Sequence, residues 1–220
     1  MEGSDRPTVV AIDGPAGSGK STLARRLALE LALPYVNTGL MYRAVTLEAM
    51  RRGIGPGDAE ALTRIAAGLT FDLDPDLHPP ELRIEGSEPD PELTSPAVER
   101  AVSQVSAHAT LRAVLRERQR RLGSNGAVME GRDIGSVVFP DAILRVVLGA
   151  GPEERAARRA LERAGQPTEV SAAIAERDAK DERNVPPVDA DLEVDSTHLG
   201  PDEVLAIVLA EVRRRLGETP

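Results

Sequence analysis

The sequence predicts an α/β protein built around a mostly parallel sheet. Three observations predict it. Val9-Val10-Ala11-Ile12 is a short apolar run with no polar alternation, the pattern of a strand covered on both faces. Ala127-Val128-Met129 and Ile143-Leu144-Arg145-Val146-Val147-Leu148 repeat that pattern later in the chain. Between and after these runs lie stretches with helical spacing. Short buried strands alternating with helices need crossover connections, which leave neighbouring strands parallel.

Taken in order, residues 1–7 read as a flexible tail and Val9–Ile12 as the first strand. A glycine-rich turn leads into a helix from Lys20 to Leu33, with Leu23, Leu27 and Leu31 four apart and Pro34 ending it. Tyr35-Val36 reads as a second short strand, and Leu40 to Arg52 as a helix closed by Gly53. Residues 70–98 break the alternation with Asp72, Asp74, Pro75, Asp76, Pro79, Pro80, Gly86, Pro89 and Pro91 around exposed-strand pieces such as Leu82-Arg83-Ile84. A small antiparallel insertion is expected there, because helical spacing resumes at Val98-Val102-Val105 without a low-complexity bridge. Pro152 with Glu153 and Glu154 starts an arginine-rich helix. The last helix opens at Pro201-Asp202-Glu203 and runs to Leu216, with Arg213, Arg214 and Arg215 complementing its dipole.

At 220 residues the chain suits one domain with a small insertion, enough to bury about 70% of its unfolded surface. A net charge of −9 argues against a general nucleic-acid-backbone binder, which needs a positive field. With no cysteine, disulfides, thiolate catalysis, iron–sulfur clusters and cysteine-bound zinc are excluded. His78, His108 and His198 are too scattered to suggest a histidine-built metal site. Tyr35, Tyr42, Phe71 and Phe139 are the only aromatics, so a base-stacking platform for single strands has little to be built from. Met1 to Pro7 holds no apolar signal core and no apolar run approaches a membrane span, so a soluble cytoplasmic protein is expected. Of the 27 basic residues all but Lys20 and Lys180 are arginine, which makes a lysine at a motif position informative.

Lys20 sits in such a motif. Gly14-Pro15-Ala16-Gly17-Ser18-Gly19-Lys20-Ser21 matches GxxxxGK[ST], with a strand before it and a helix after it. Glycines let backbone N–H groups close around phosphate oxygens, and the following helix adds its positive end. Lys20 is placed to reach the β- and γ-phosphates, and the Ser21 hydroxyl to ligate Mg²⁺. The motif predicts a bound nucleoside triphosphate. A GTPase switch needs a base-reading Asn-Lys-x-Asp, and the two lysines stand in no such sequence. That leaves small-molecule kinases, which need a second site for an acceptor.

Three arginine-bearing clusters are candidates for it: Asn37-Thr38-Gly39-Leu40-Met41-Tyr42-Arg43, Ser103-Gln104-Val105 with Arg112, and Gly131-Arg132-Asp133-Ile134-Gly135. The first and third follow strands, at the carboxyl edge where open parallel sheets bind ligands. Arginine suits bidentate phosphate contact. Individually each cluster reads equally well as surface helix or salt bridge.

From Val9 to about Thr197 the chain resembles the bacterial cytidylate kinases, of the nucleoside monophosphate kinase group. The resemblance is carried by Ile12 to Thr22, Thr38-Gly39 with Tyr42-Arg43, Ser103-Gln104-Val105 with Arg112 and Gln119, and above all Glu130-Gly131-Arg132-Asp133-Ile134-Gly135-Ser136-Val137-Val138-Phe139-Pro140-Asp141-Ala142. Adenylate kinases carry an Asp-Gly-Phe-Pro-Arg type of sequence there. The resemblance implies a P-loop kinase core of five parallel strands flanked by helices, over 8–69 and 99–220. It also implies a small antiparallel monophosphate-side insert at 70–98 and a mobile helical lid within about 152–188. The implied activity is transfer of the ATP γ-phosphoryl to CMP or dCMP with Mg²⁺.

By the same resemblance, Gly14 to Thr22 bind ATP, while Tyr42, Arg43 and Arg132 surround the acceptor phosphate. Ser103, Arg112 and Asp133 read cytosine, and Thr38 lies near the nucleotide. Arg177 and Asp181 are CMP-binding groups on the sugar and phosphate side, brought in by the lid, with catalytic roles for Lys20, Arg132, Arg177 and Asp181. The lid departs from the usual Arg-Asp-x-x-Asp-x-x-Arg: Asn184 holds the last position, and Arg183 or Lys180 is the candidate replacement cation on the ATP side. Thr94 stands where the insert commonly has arginine. Glu130 reads either as a carboxylate on the Mg²⁺ side or as a plain charge ending a strand. Kinases of shikimate or dephospho-coenzyme A, or a nucleotide-dependent switch, are the rival readings. Expected partners are ATP and CMP or dCMP, with no nucleic acid or membrane, and the chain is expected to act as a monomer. The arginines at 116, 118, 120 and 121 read as a solvated helix face.

Overall fold

The computed structural model describes residues 7–163 and 186–217. Its centre is a five-stranded parallel sheet in the order β2-β5-β1-β6-β7, formed by β1 (Val9–Asp13), β2 (Tyr35–Asn37), β5 (Ala127–Gly131), β6 (Leu144–Gly149) and β7 (Leu192–Asp195). β1 lies in the middle and every one of its residues is buried, which is why its sequence shows no alternation. Val10 and Ile12 pack on one face against α1 (Lys20–Glu30) and α7 (Pro201–Leu216), while Ala11 turns to the other face with Val36, Met129 and Ile134.

The remaining helices are α2 (Thr38–Arg51), α3 (Ala59–Gly68), α4 (Pro96–Val105), α5 (Ala109–Leu122) and α6 (Pro152–Arg163). A second core joins α2 to α5 with the antiparallel pair β3 (Phe71–Asp74) and β4 (Glu81–Ile84) through Met41, Val45, Leu62, Phe71, Leu82, Val98 and Leu115. The expected insertion is therefore a two-stranded sheet followed by a 3-10 turn at Pro91–Thr94.

Several boundaries differ from the sequence reading for local reasons. α1 stops at Glu30 rather than Leu33, because Ala32 takes a positive φ of 50° and Leu33 N turns back to Ala28 O. α2 starts at Thr38, two residues early, with Asn37 as its extended N-cap. α4 starts at Pro96 inside the stretch 70–98, since Ser95 caps it by accepting from Val98 N at 3.4 Å. α3, capped by Asp58, was not anticipated, nor was the π-helical turn Ile134–Val138 after β5. α7 begins and ends where expected. The lid residues between 164 and 185 lie outside the described residues. Among the described residues no helix is long and apolar enough to cross a membrane.

Candidate active site

The glycine-rich loop runs from the end of β1 into α1, between the ends of β5 and β6. Gly14 has φ +150°, and a Cβ there would lie 2.1 Å from Leu148 O, so only glycine lets the loop leave β1 this close to β6. Lys20 opens α1 and its Nζ donates to Pro15 O at 2.7 Å. The loop is braced from outside: Arg155 Nη1 donates to Ala16 O at 3.3 Å, and Ser196 Oγ to Ser18 O at 3.1 Å. Arg158 Nη1 also reaches Ser18 O, at 3.4 Å. Loop carbonyls that would repel an anion are thereby occupied. Arg155 and Arg158 lie on the arginine-rich helix α6, within the span 152–188 that the sequence assigns to the lid; their bonds to the loop join positions more than 130 apart.

Beside the loop, the end of β5 is held by one side chain from β1. Asp13, 2% exposed, accepts from Ile134 N at 2.9 Å through Oδ1 and from Gly135 N at 2.7 Å through Oδ2. Burial pushes its pKa up to about 6, against the pull of those two N–H groups. Because β1 and β5 are paired with Asp13 opposite Gly131, this clamp fixes the turn 131–135 against the loop. Gly131 allows a second tight approach, since a Cβ there would meet Thr38 Oγ1 at 2.7 Å. Thr38 Oγ1 donates to Glu130 O at 2.7 Å, tying α2 to the same turn.

A cavity of about 560 Å³ opens between loop and turn. It brings together Ala16, Lys20, Ser21, Thr38, Tyr42, Arg43, Arg112, Arg132 and Asp133 of the expected site, and adds Glu130 and Arg159. Asp133 is buried and receives Arg112 Nη2 at 2.7 Å. Arg112 also donates to Ser106 O at 3.1 Å and stands 5.8 Å over the Tyr42 ring. Burial pushes the Tyr42 phenol up to about 12, with Arg112 pulling the other way, so it remains a neutral donor at pH 7. Arg43 pairs with Glu99 and donates to Leu93 O at 3.1 Å.

Ser103 does not line this cavity; Ser106, one turn on, does. Ser103 Oγ is enclosed with no hydrogen-bond partner among the described residues. Gly17, Ser18, Gly19 and Thr22 line a second cavity of about 360 Å³ on the other flank of the loop, with Leu23, Leu148 and Val204. Arg177, Asp181 and Arg183 lie outside the described residues.

Two groups behind the cavity wall, each bonded to a residue that lines it, had no signal in the sequence. Tyr35 OH donates to Glu130 Oε1 at 2.5 Å and accepts from Asn37 Nδ2 at 3.3 Å. Burial, then the neighbouring Glu130 charge, holds the Tyr35 phenol well above its ordinary pKa. Arg116, read as part of a solvated face, instead reaches Asp133 Oδ2 through Nε at 2.9 Å and Nη2 at 2.7 Å. Arg120 also turns inward, donating to Val137 O at 2.8 Å and Val138 O at 3.2 Å.

The cytidylate kinase family matches residues 10–214, a span that contains the loop, the turn and the cavity between them. This chain belongs to the cytidylate kinase family. The cytidylate kinase of Pelotomaculum thermopropionicum is 43% identical over 92% of this chain and 95% of its own length. That of Thermus thermophilus is 40% identical over 94% of this chain and 99% of its own. A bifunctional pantoate ligase/cytidylate kinase of a Synechococcus strain is 43% identical over 97% of this chain, but this chain spans only 46% of that longer protein. Among solved structures, an uncharacterised protein from Eubacterium ventriosum shares the fold, with a TM-score of 0.56 at 10% identity over 95% of this chain and 99% of that one.

Proposed function

We propose that the protein transfers the γ-phosphoryl group of ATP to CMP or dCMP, giving CDP or dCDP and ADP. The observation that carries this reading is the single cavity lined at once by Lys20 of the phosphate loop and by the Arg112–Asp133 pair. Cytosine presents an amino donor beside an unprotonated N3 acceptor. A carboxylate accepts from the amino group while a guanidinium donates to N3 or O2. Uracil reverses both signs and leaves buried groups unpaired, a loss of several kcal/mol by order of magnitude.

In this reading the loop amides and Lys20 hold the β- and γ-phosphates, and Arg43, Arg132 and Tyr42 hold the acceptor phosphate. An acceptor phosphate oxygen bonds to the γ-phosphorus as the bond from that phosphorus to the β,γ-bridging oxygen breaks. No covalent enzyme intermediate is needed, and the chain's contribution is alignment and charge neutralisation. The second cavity, with its leucine and valine lining, suits the adenine end of ATP. Arg177, Asp181 and Arg183 belong to the same proposal as groups the lid contributes.

Mg²⁺ fits the donors present. Ser21 and Glu130 bring oxygens to the same cavity, while both oxygens of Asp13 are spent on backbone N–H groups. Among the described residues no group of three or more His, Cys, Asp or Glu could hold a metal. Ser21 and Glu130 are the residues that would hold it, and when bound it neutralises phosphate charge. One chain supplies both walls of the cavity, so a monomer suffices. ADP release measured with CMP, dCMP, UMP, AMP and shikimate tests the reading. Turnover restricted to CMP and dCMP is expected; turnover of shikimate or AMP, or release independent of acceptor, contradicts it.

A further inference from the structure

Asp133 has more cationic partners than a lone base reader requires. Its side chain is 5% exposed, and all three of its side-chain hydrogen bonds fall on Oδ2, one from Arg112 and two from Arg116. Among the described residues no protein group donates to Oδ1, although Asp133 lines the cavity. An arginine alone with an aspartate favours a fork, one N–H on each carboxylate oxygen. Arg112 does not adopt that fork here. It spends Nη2 on Oδ2, with Nη1 on Ser106 O, while Arg116 brings Nε and Nη2 to the same Oδ2. The two arginines lie four apart on α5, on one helix face directed at the end of β5.

We propose that Arg116 is a positioning residue for base choice: by crowding Oδ2 it keeps Arg112 from forking onto Asp133 and leaves Oδ1 as the acceptor for an amino-bearing pyrimidine. This rests on the cavity being the cytosine site. Without Arg116, Arg112 closes onto both oxygens and a donor covers Oδ1. The wall that accepted an amino hydrogen then offers an N–H instead. A 4-amino pyrimidine loses its partner, and a 4-oxo pyrimidine loses nothing.

The test is steady-state kinetics of Arg116→Met and Arg116→Lys with CMP, UMP and ATP, alongside thermal melts. For Arg116→Met, KM for CMP is expected to rise about 10-fold or more, with kcat within about 2-fold and KM for ATP unchanged. KM for UMP should stay level or fall. Arg116→Lys, which keeps a cation on Oδ2, should recover most of the CMP affinity. CMP and UMP moving together, or neither moving, overturns the proposal. Should Arg116→Met not fold, Arg116→Gln, which also removes the cation, decides by itself: a raised KM confined to CMP supports the role and an unmoved CMP-to-UMP ratio removes it. The unaltered protein separates the two levels of inference. If it does not turn over CMP, the cytosine site falls and this role with it; if it does, and the ratio is unmoved in the variant that removes the cation, only Arg116 loses its role.

Discussion

Asp13 is not among the residues lining the cavity, yet it holds the turn 131–135 in place, and its burial carries a cost that can be measured. Its pKa rises from 3.8 to about 6 on folding, so between those values the folded chain holds a proton that the unfolded chain has released. Stability contributed by this group therefore falls as pH rises through that window, and the full penalty, on the order of 3 kcal/mol, is present at pH 7. Asp191 acts in the opposite sense: its bonds to Arg145 lower its pKa, and that stability is lost as pH falls. Comparing the protein with Asp13→Asn in urea at each pH cancels Asp191 and isolates Asp13. From pH 7 to pH 4 the unaltered protein should gain on the order of 3 kcal/mol relative to the variant. A constant difference across that range means Asp13 is not carrying the burden assigned to it. Lys20→Ala should lower kcat by about 100-fold or more with an unchanged melt, because its amine contributes charge at the phosphates. Asp133→Ala should erase the CMP-over-UMP ratio of kcat/KM and also destabilise by about 3–5 kcal/mol, since it leaves Arg112 buried beside Arg116 without their shared anion.

Individual elements divide sharply into those the chain announces and those it does not. β1, the loop and α1 are legible because everything they need is local: a run buried on both faces, glycines at the turn, leucines four apart. α7 is legible at both ends because Pro201 and Gly217 punctuate it. α5 was visible as a helix, but its inward face was not. Its arginines at 112, 116, 118, 120 and 121 spread around the helix, and what turns Arg116 inward is Asp133, 17 positions away. The same holds for Tyr35 with Glu130, separated by 95 positions, and for Asp13 with Ile134, separated by 121. Pattern reading finds elements from neighbours; it does not find partners joined only by the closed sheet. Ser103 shows the converse: its motif was legible, while its exclusion from the cavity wall depends on how α4 is rotated. The buried stripe Val98, Val102 and Val105 sets that rotation, and the Ser95 cap holds the helix's first turn against it. Ser95→Ala should cost about 1 kcal/mol in urea unfolding, with KM for CMP changing more than KM for ATP.

Among the described residues the sheet carries one core with α1 and α7 and another on its opposite face around Ala11, Met129 and Ile134, and a further core gathers α2 to α5 around the antiparallel pair. The cavity lies where the sheet meets that further core, so acceptor binding should tie them together. CMP at about 100 times its Kd should add about 2.7 kcal/mol of stability, raising Tm by roughly 5–10 °C for a chain of this size. dCMP should act alike, and UMP at the same concentration should shift Tm by less than about 2 °C. Equal shifts for CMP and UMP in calorimetry place the discrimination somewhere other than in ground-state binding.

The pairing of Asp13 with Gly131 across β1 and β5 also limits how this catalyst can change. Adjacent strands sit about 4.8 Å apart, and residues advance along them by about 3.3 Å. The stretch of space a phosphoryl group must cross is inherited from that lattice, whatever the lengths of the connecting loops. Lengthening or trimming those loops retunes which molecules are admitted while leaving the crossing itself untouched. Altering the crossing takes a slip of one whole residue, which would turn every side chain of a central strand to the opposite face.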